Sequence, residues 1–222
     1  MAIMLKALLL DHDGTLVDSE TLHGQLWAEV LATYGASLSA QDYHTHYAGY
    51  STLQNAHDFI ERFGLAVDQT TLAQDKVTIT QAWLKQQAWP LNDGASAIMQ
   101  WAQNQHLRQA IVTGGQRISV EHTLSYYGLK PFIEVISSQE DAPHNKPAPD
   151  LYLLTLERLG LKANEVLAIE DTARGMQAAL TAGIFCLVVR NHYSQDHDFT
   201  GAIACVDSLP QALAWLQKTF TS

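Results

Sequence analysis

Residues 6–13 read KALLLDHD, an apolar run cut short by two aspartates one residue apart. A half-exposed strand alternates apolar and polar side chains, whereas a strand covered on both faces is apolar throughout. The run from Lys6 to Leu10 is of the second kind, and it calls for a parallel sheet with helices on both sides. From residue 94 onward the chain supplies that architecture. Helical periodicity over 94–104, 116–127, 149–160, 173–182 and 209–219 alternates with short apolar runs at 109–113, 132–137, 165–169, 184–189 and 202–206. Such alternation predicts crossover units and a Rossmann-like, doubly wound parallel α/β sheet.

The stretch from Ser19 to about Leu84 breaks the pattern. LHGQLWAEVLATYG, LQNAHDFIERFGL and TLAQDKVTITQAWLKQQAW carry apolar residues three and four apart, which is helical spacing. Pro90 and the turn residues Asn92, Asp93 and Gly94 close it. Two domains are therefore expected: an α/β core of residues 1–17 and 89–222, and an α-helical domain, 18–88, inserted after the first strand.

A chain of 222 residues, 47% hydrophobic and 16% charged, can bury a substantial core. Its net charge of −10, with no basic run, excludes a nucleic-acid partner held through phosphates. A small phosphorylated ligand stays open, because a bound cation reverses the local field. Cys186 and Cys205 are the only cysteines, which implies no disulfide framework and a reducing compartment. The N-terminal apolar stretch is interrupted by Lys6, and no run of about 18 apolar residues occurs. The expectation is a cytoplasmic protein without a membrane partner, a monomer or weak dimer.

In open α/β sheets ligands bind outside the carboxyl ends of the strands. Those ends carry Asp11 and Asp13 after the first run, Thr113-Gly114-Gly115 after the second, Lys146 in the loop NKPAPD after the third, and Glu170-Asp171 after the fourth. Carboxylates facing an acidic pair make an all-oxygen site suited to Mg2+. A hydroxyl and an ammonium nearby suit phosphoryl oxygens. Asp11 can serve as a nucleophile that forms an aspartyl phosphate, and Asp13, on the same side of an extended strand end, as the acid and base. Each feature has a plainer reading in isolation. Asp11 and Asp13 suit a polar turn, Thr113 a turn, Lys146 an ordinary loop, and Asp171 a helix cap. Their joint placement at four strand ends favours the functional reading.

The set DHDGTLVDSE, VTGG, NKPAPDLY and IEDTARGMQAALTAG resembles the haloacid dehalogenase superfamily. It is most similar to the group of phosphoglycolate phosphatases and β-phosphoglucomutases, whose α-helical cap domain is inserted after the first strand. The resemblance spans the chain and implies Asp11 as nucleophile, Asp13 as acid and base, and Thr113 and Lys146 as phosphoryl holders. It also implies Asp171 as a Mg2+ ligand, Glu170 as a ligand directly or through water, and the Asp13 backbone carbonyl as a further ligand. His12 and Gly114-Gly115 depart from the group's usual pattern. His12 is expected to point away from the site. The imidazoles of His44, His46 and His57 read as surface or core residues rather than a zinc site, and Trp27, Trp83, Trp89 and Trp101 as packing residues. Gly49-Tyr50-Ser51 could face a substrate.

The resemblance implies a Mg2+-dependent phosphatase acting on a small phosphorylated metabolite such as a sugar phosphate. The alternative is a phosphomutase, which must grip a second phosphate. Between Asp18 and Trp89 the basic residues are Arg62, Lys76 and Lys85 against eight acids, which favours water as the acceptor. A dehalogenase is disfavoured by the acid at Asp13, and a silent binding module by the filled catalytic positions.

Overall fold

The computed structural model describes residues 4–220. Strand β1 (Ala7–Leu10) leads into four helices, α1 (Ser19–Thr33), α2 (Ala40–His46), α3 (Thr52–Phe63) and α4 (Gln69–Leu84). There follow α5 (Ala95–Asn104), β2 (Arg108–Val112), α6 (Arg117–Tyr126), β3 (Val135–Ser137), α7 (Asp150–Leu159), β4 (Val166–Glu170), α8 (Ala173–Thr181), β5 (Phe185–Val189), β6 (Ala204–Val206) and α9 (Leu209–Phe220). Contacts divide the chain into two compact units, Met1–Val17 with Pro90–Ser222, and Asp18–Trp89.

The first unit is a six-stranded sheet in the order β3-β2-β1-β4-β5-β6, and every pairing is parallel. This is the doubly wound α/β fold. Strand β1 is central: Leu9 lies opposite Ala110 on one side and Ala168 on the other. Successive side chains of a strand leave opposite faces. Leu8 and Leu10 enter one core with Ile98 of α5, Val120 of α6 and Leu216 of α9. Ala7 and Leu9 enter the other with Leu151 of α7 and Met176 of α8. All four β1 residues are fully buried, which is why the run is apolar without alternation. Each of its leucines contributes about 2 kcal/mol of burial free energy.

Two strands are shorter than expected. The run 132–137 contributes Val135–Ser137 alone, because Pro131 starts a 3-10 turn at Lys130–Phe132 whose Phe132 packs sideways onto the first core. The run 202–206 keeps Ala204–Val206, since Gly201 at φ 102° still belongs to the preceding turn.

The second unit is helical and has its own core of Trp27, Tyr47, Phe59 and Leu72. Asp18, Ser39, Ser51 and Asp68 each accept a backbone N–H from the first turn of the helix that follows, satisfying donors a helix start leaves open. Trp89 stacks on Trp83 at 5.8 Å and meets His23 at 4.8 Å, so it falls with the helices. Trp27, Trp89 and Trp101 are packing residues, all under 9% exposed. His57 pairs with Glu61, and Tyr50 is an exposed residue before the Ser51 cap. Among the described residues no helix is long and apolar enough to cross a membrane.

A polar knot fixes the loop after β3. The Asp141 carboxylate accepts from Arg117 Nη2 at 2.6 Å, Arg158 Nη2 at 2.9 Å, and both the backbone N–H and the hydroxyl of Ser138 at 2.8 Å. Burial by itself would push the Asp141 carboxyl up, but the bonds from Arg158, Ser138 and Arg117 overcome it and hold the group well below the usual carboxylate range. A depressed folded pKa adds stability that is present above the unfolded value of 3.8 and is lost as pH falls through the folded one. Asp141→Asn is expected to cost about 2 kcal/mol at neutral pH, roughly 4–8 °C in Tm for a chain of this size. In thermal melts the gap between wild type and variant should shrink as pH falls below about 4, because the unfolded wild-type chain then takes up a proton at Asp141 that the folded state does not.

Candidate active site

The turn after β1 is built for two acids. The Asp11 N–H donates to Ile169 O at 3.0 Å, which continues the β1–β4 ladder and buries Asp11 between the strand ends. Gly14 then turns at φ 82°, and its N–H closes onto Val17 O at 2.9 Å. A Cβ on Gly14 would stand 2.2 Å from Asp171 Oδ2, so both the backbone angle and the close approach of the acid require glycine.

Lys146 draws three strand ends together. Its Nζ donates to Asp11 Oδ1 at 2.6 Å, to Glu170 Oε1 at 2.6 Å and to the Val112 carbonyl at 2.8 Å. Tyr152 of α7 donates its hydroxyl to the same Glu170 oxygen at 2.6 Å. Ligand oxygens of Asp11, Glu170 and Asp171 lie within 4.8 Å of one another, all buried. One ammonium therefore faces three carboxylates. Burial works against the Lys146 ammonium, but the charges of Asp11 and Glu170 overcome it and raise its pKa above the ordinary lysine value. Burial, reinforced by the Asp11 charge and opposed by Lys146, pushes Glu170 up to about 7. Burial and the charges of Asp11 and Glu170 raise Asp171 well above its ordinary value, against a hydrogen bond from Asn191. The donor set is entirely oxygen, it carries uncompensated negative charge, and Glu170 Oε2 is buried without a hydrogen-bond partner among the described residues. Those properties fit a hard divalent cation.

Asp13 lies apart from that cluster. Its Oδ2 is 3.3 Å from Thr113 Oγ1, and its side chain is 37% exposed. The Thr113 hydroxyl also accepts the Gly115 N–H at 2.9 Å. The strand ends thus bring Asp11, Lys146, Glu170 and Asp171 into contact, with Asp13 and Thr113 bonded to each other beside them. His12 is buried, with Nδ1 3.4 Å from Asp13 Oδ2.

Sequence reading left out three side chains here. Tyr152 orients Glu170. Asn145 donates to Gly114 O at 2.8 Å and accepts the Lys146 N–H at 2.8 Å, joining the loops that carry Thr113 and Lys146. Asn191 donates to Asp171 Oδ2 at 2.7 Å. The signal for Asn191 was present: it stands two residues after the end of β5, and the rule that singled out the other strand ends applies there too.

The model of the haloacid dehalogenase-like hydrolases matches residues 8–189, which includes Asp11, Asp13, Thr113, Lys146, Glu170 and Asp171. The chain belongs to the haloacid dehalogenase-like hydrolase family. Among curated haloacid dehalogenase-like relatives, fructose-1-phosphate phosphatase YqaB of Escherichia coli is 30% identical over 82% of this chain and 95% of its own length. Protein CbbY of Rhodobacter capsulatus is 31% identical over 89% and 91%. The crystal structure of CbbY from Rhodobacter sphaeroides in complex with phosphate superposes with a TM-score of 0.77 at 25% identity, covering 93% of this chain and 95% of that one.

Gly175, in the first turn of α8, lets the helix pass directly under the hydrolase's acidic cluster. A Cβ there would meet Glu170 Oε2 at 1.9 Å. Gly175→Ala is expected to push Glu170 off Lys146 and Tyr152, at a cost of about 1–3 kcal/mol of overpacking. Denaturant titration should show that loss, with activity reduced more than about tenfold through the displaced carboxylate.

Proposed function

We propose that the protein is a Mg2+-dependent phosphatase that hydrolyses a small phosphomonoester, a sugar phosphate or related metabolite, through an aspartyl phosphate on Asp11. The observation that carries this reading is the buried contact of Asp11, Lys146, Glu170 and Asp171 beside the partly exposed Asp13. An Asp11 carboxylate oxygen attacks phosphorus, and the ester oxygen departs, taking a proton from Asp13. Asp13, now a carboxylate, takes a proton from water as that water attacks phosphorus, and the Asp11–phosphorus bond breaks to release inorganic phosphate. Lys146 holds Asp11 in one orientation and, with Thr113, offers donors to the phosphoryl oxygens. A Mg2+ held by Asp11, Asp171, Glu170 and the Asp13 backbone carbonyl would neutralise the charge that gathers as two anions approach.

Water as the acceptor is supported by the helical unit, which we read as the substrate-selecting cap. The side chain of Arg62 is engaged with Asp42 at 3.2 Å and the Tyr47 hydroxyl at 3.0 Å. Lys76 is buried, with Nζ 2.9 Å from the Thr80 hydroxyl and 3.0 Å from His23 Nδ1. Neither is poised for a second phosphate dianion. Relatives named as phosphatases over most of the chain support the same choice, and one of them acts on fructose 1-phosphate. Both cysteines are unpaired, which fits the cytoplasm. The assembly is proposed as a monomer or weak dimer.

The test is phosphate release from a panel of sugar monophosphates, with and without a trace of sugar bisphosphate. Isomerisation outpacing phosphate release would overturn the reading in favour of a mutase. Asp11→Asn should keep the melting temperature and lose at least about a thousandfold in kcat, since the amide is isosteric and a poor nucleophile. Deamidation is to be excluded by mass spectrometry.

EDTA should abolish turnover and Mg2+ restore it. The raised Glu170 pKa gives this dependence a pH signature. Metal-free folded protein holds a proton on Glu170 below about 7, and the cation must expel it. Calorimetric Mg2+ affinity should therefore weaken at least about tenfold from about pH 8 to about pH 6, because the proton on Glu170, and any on the likewise raised Asp171, must be displaced.

A further inference from the structure

We infer that Asn191 is a positioning residue for the cation, acting by fixing the carboxylate of Asp171. The inference rests on the reading of Asp11, Glu170 and Asp171 as a Mg2+ site. Asn191 follows β5, one strand beyond the acids it serves. Its Nδ2 donates to Asp171 Oδ2 at 2.7 Å and to the Gly14 carbonyl at 3.2 Å. The amide is itself held: Asn191 Oδ1 accepts the Tyr193 N–H at 2.9 Å, and the Asn191 N–H donates to the Ser194 hydroxyl at 3.1 Å. Ser194 is fully buried, so the loop that aims the amide is anchored.

The geometry divides the labour between the two Asp171 oxygens. Oδ2 is taken by Asn191 and lies under Gly14, where even a methyl group would collide with it. Oδ1 has the longer contact, 3.4 Å from the Thr15 hydroxyl. A carboxylate gripped through one oxygen presents the other in a fixed direction, and partners of this kind set the affinity of the ligands they orient. Because the same Nδ2 also holds the Gly14 carbonyl, the amide ties Asp171 to the turn that carries Asp11 and Asp13. Without it, Asp171 is free to rotate away from the two other acids, whose charges repel it.

The test compares Asn191→Ala and Asn191→Leu with wild type by calorimetric titration with Mg2+ alone. Alanine removes volume and both donated bonds, while leucine keeps the volume and removes the bonds. Both variants are expected to bind Mg2+ about 10–100-fold more weakly. Their kcat at saturating Mg2+ should stay within about threefold of wild type, the loss appearing in the Mg2+ concentration that gives half-maximal rate. Melts in EDTA check the fold. Wild-type affinity in both variants, or in leucine alone, would overturn the inference, as would loss of the fold in both, which would assign Asn191 to the scaffold. No Mg2+ binding by wild type would instead overturn the metal reading itself.

Discussion

Among the described residues the ammonium of Lys146 is the only cation in contact with the two buried carboxylates of Asp11 and Glu170, and the site depends on that imbalance. Taking charges out of water costs several kcal/mol each, and one ammonium offsets that for two acids only in part. Asp171 joins the cluster with no cation of its own among the described residues. The sheet forces the acids together regardless, because β1 and β4 are neighbours whose side chains at the strand ends cannot separate without breaking the ladder. A core apolar enough to bury β1 completely supplies the stability that this arrangement consumes. The uncompensated charge is what a dication can use.

Two aspartates one residue apart meet different surroundings, and the difference suits the two tasks proposed for them. Asp11 is buried, bonded to Lys146, and held by its own backbone in the β1–β4 ladder. Asp13 is partly exposed and bonded to a hydroxyl. A carboxylate held in one orientation suits a nucleophile, whereas a carboxylate in contact with solvent can exchange protons with the leaving group and with water. Gly14 makes both placements possible at once by turning the chain immediately after them.

The helical unit is stabilised from its own residues. Each of its four helices starts on a capping side chain, and an aromatic core of Trp27, Tyr47 and Phe59 joins them. Its buried Lys76 is brought down to about 8 by burial, against the pull of Glu20, and finds its partners in Thr80 and His23. Arg62 and Lys76 thus serve the unit's own surface pairs and its interior.

The alternation of apolar runs with helical periodicity determined the doubly wound sheet and the helical insertion, because a strand buried on both faces has no choice but to be apolar throughout. It also marked the candidate residues, since ligands collect at the carboxyl ends of such strands wherever the side chains come from. Local chemistry decided the short strands less surely: Pro131 and Gly201 trimmed β3 and β6 by turn preferences that an apolar run conceals. Only the tertiary structure decided who touches whom. Lys146 could have been an ordinary loop lysine, and it became the partner of Asp11, 135 residues away, once β3 and its loop were laid beside β2. Tyr152, Gly175 and Asn191 acquired their relation to Glu170 and Asp171 in the same way. None of the three carries a charge that would announce it, and each acts through a distance of a few ångströms that spacing along the chain does not contain.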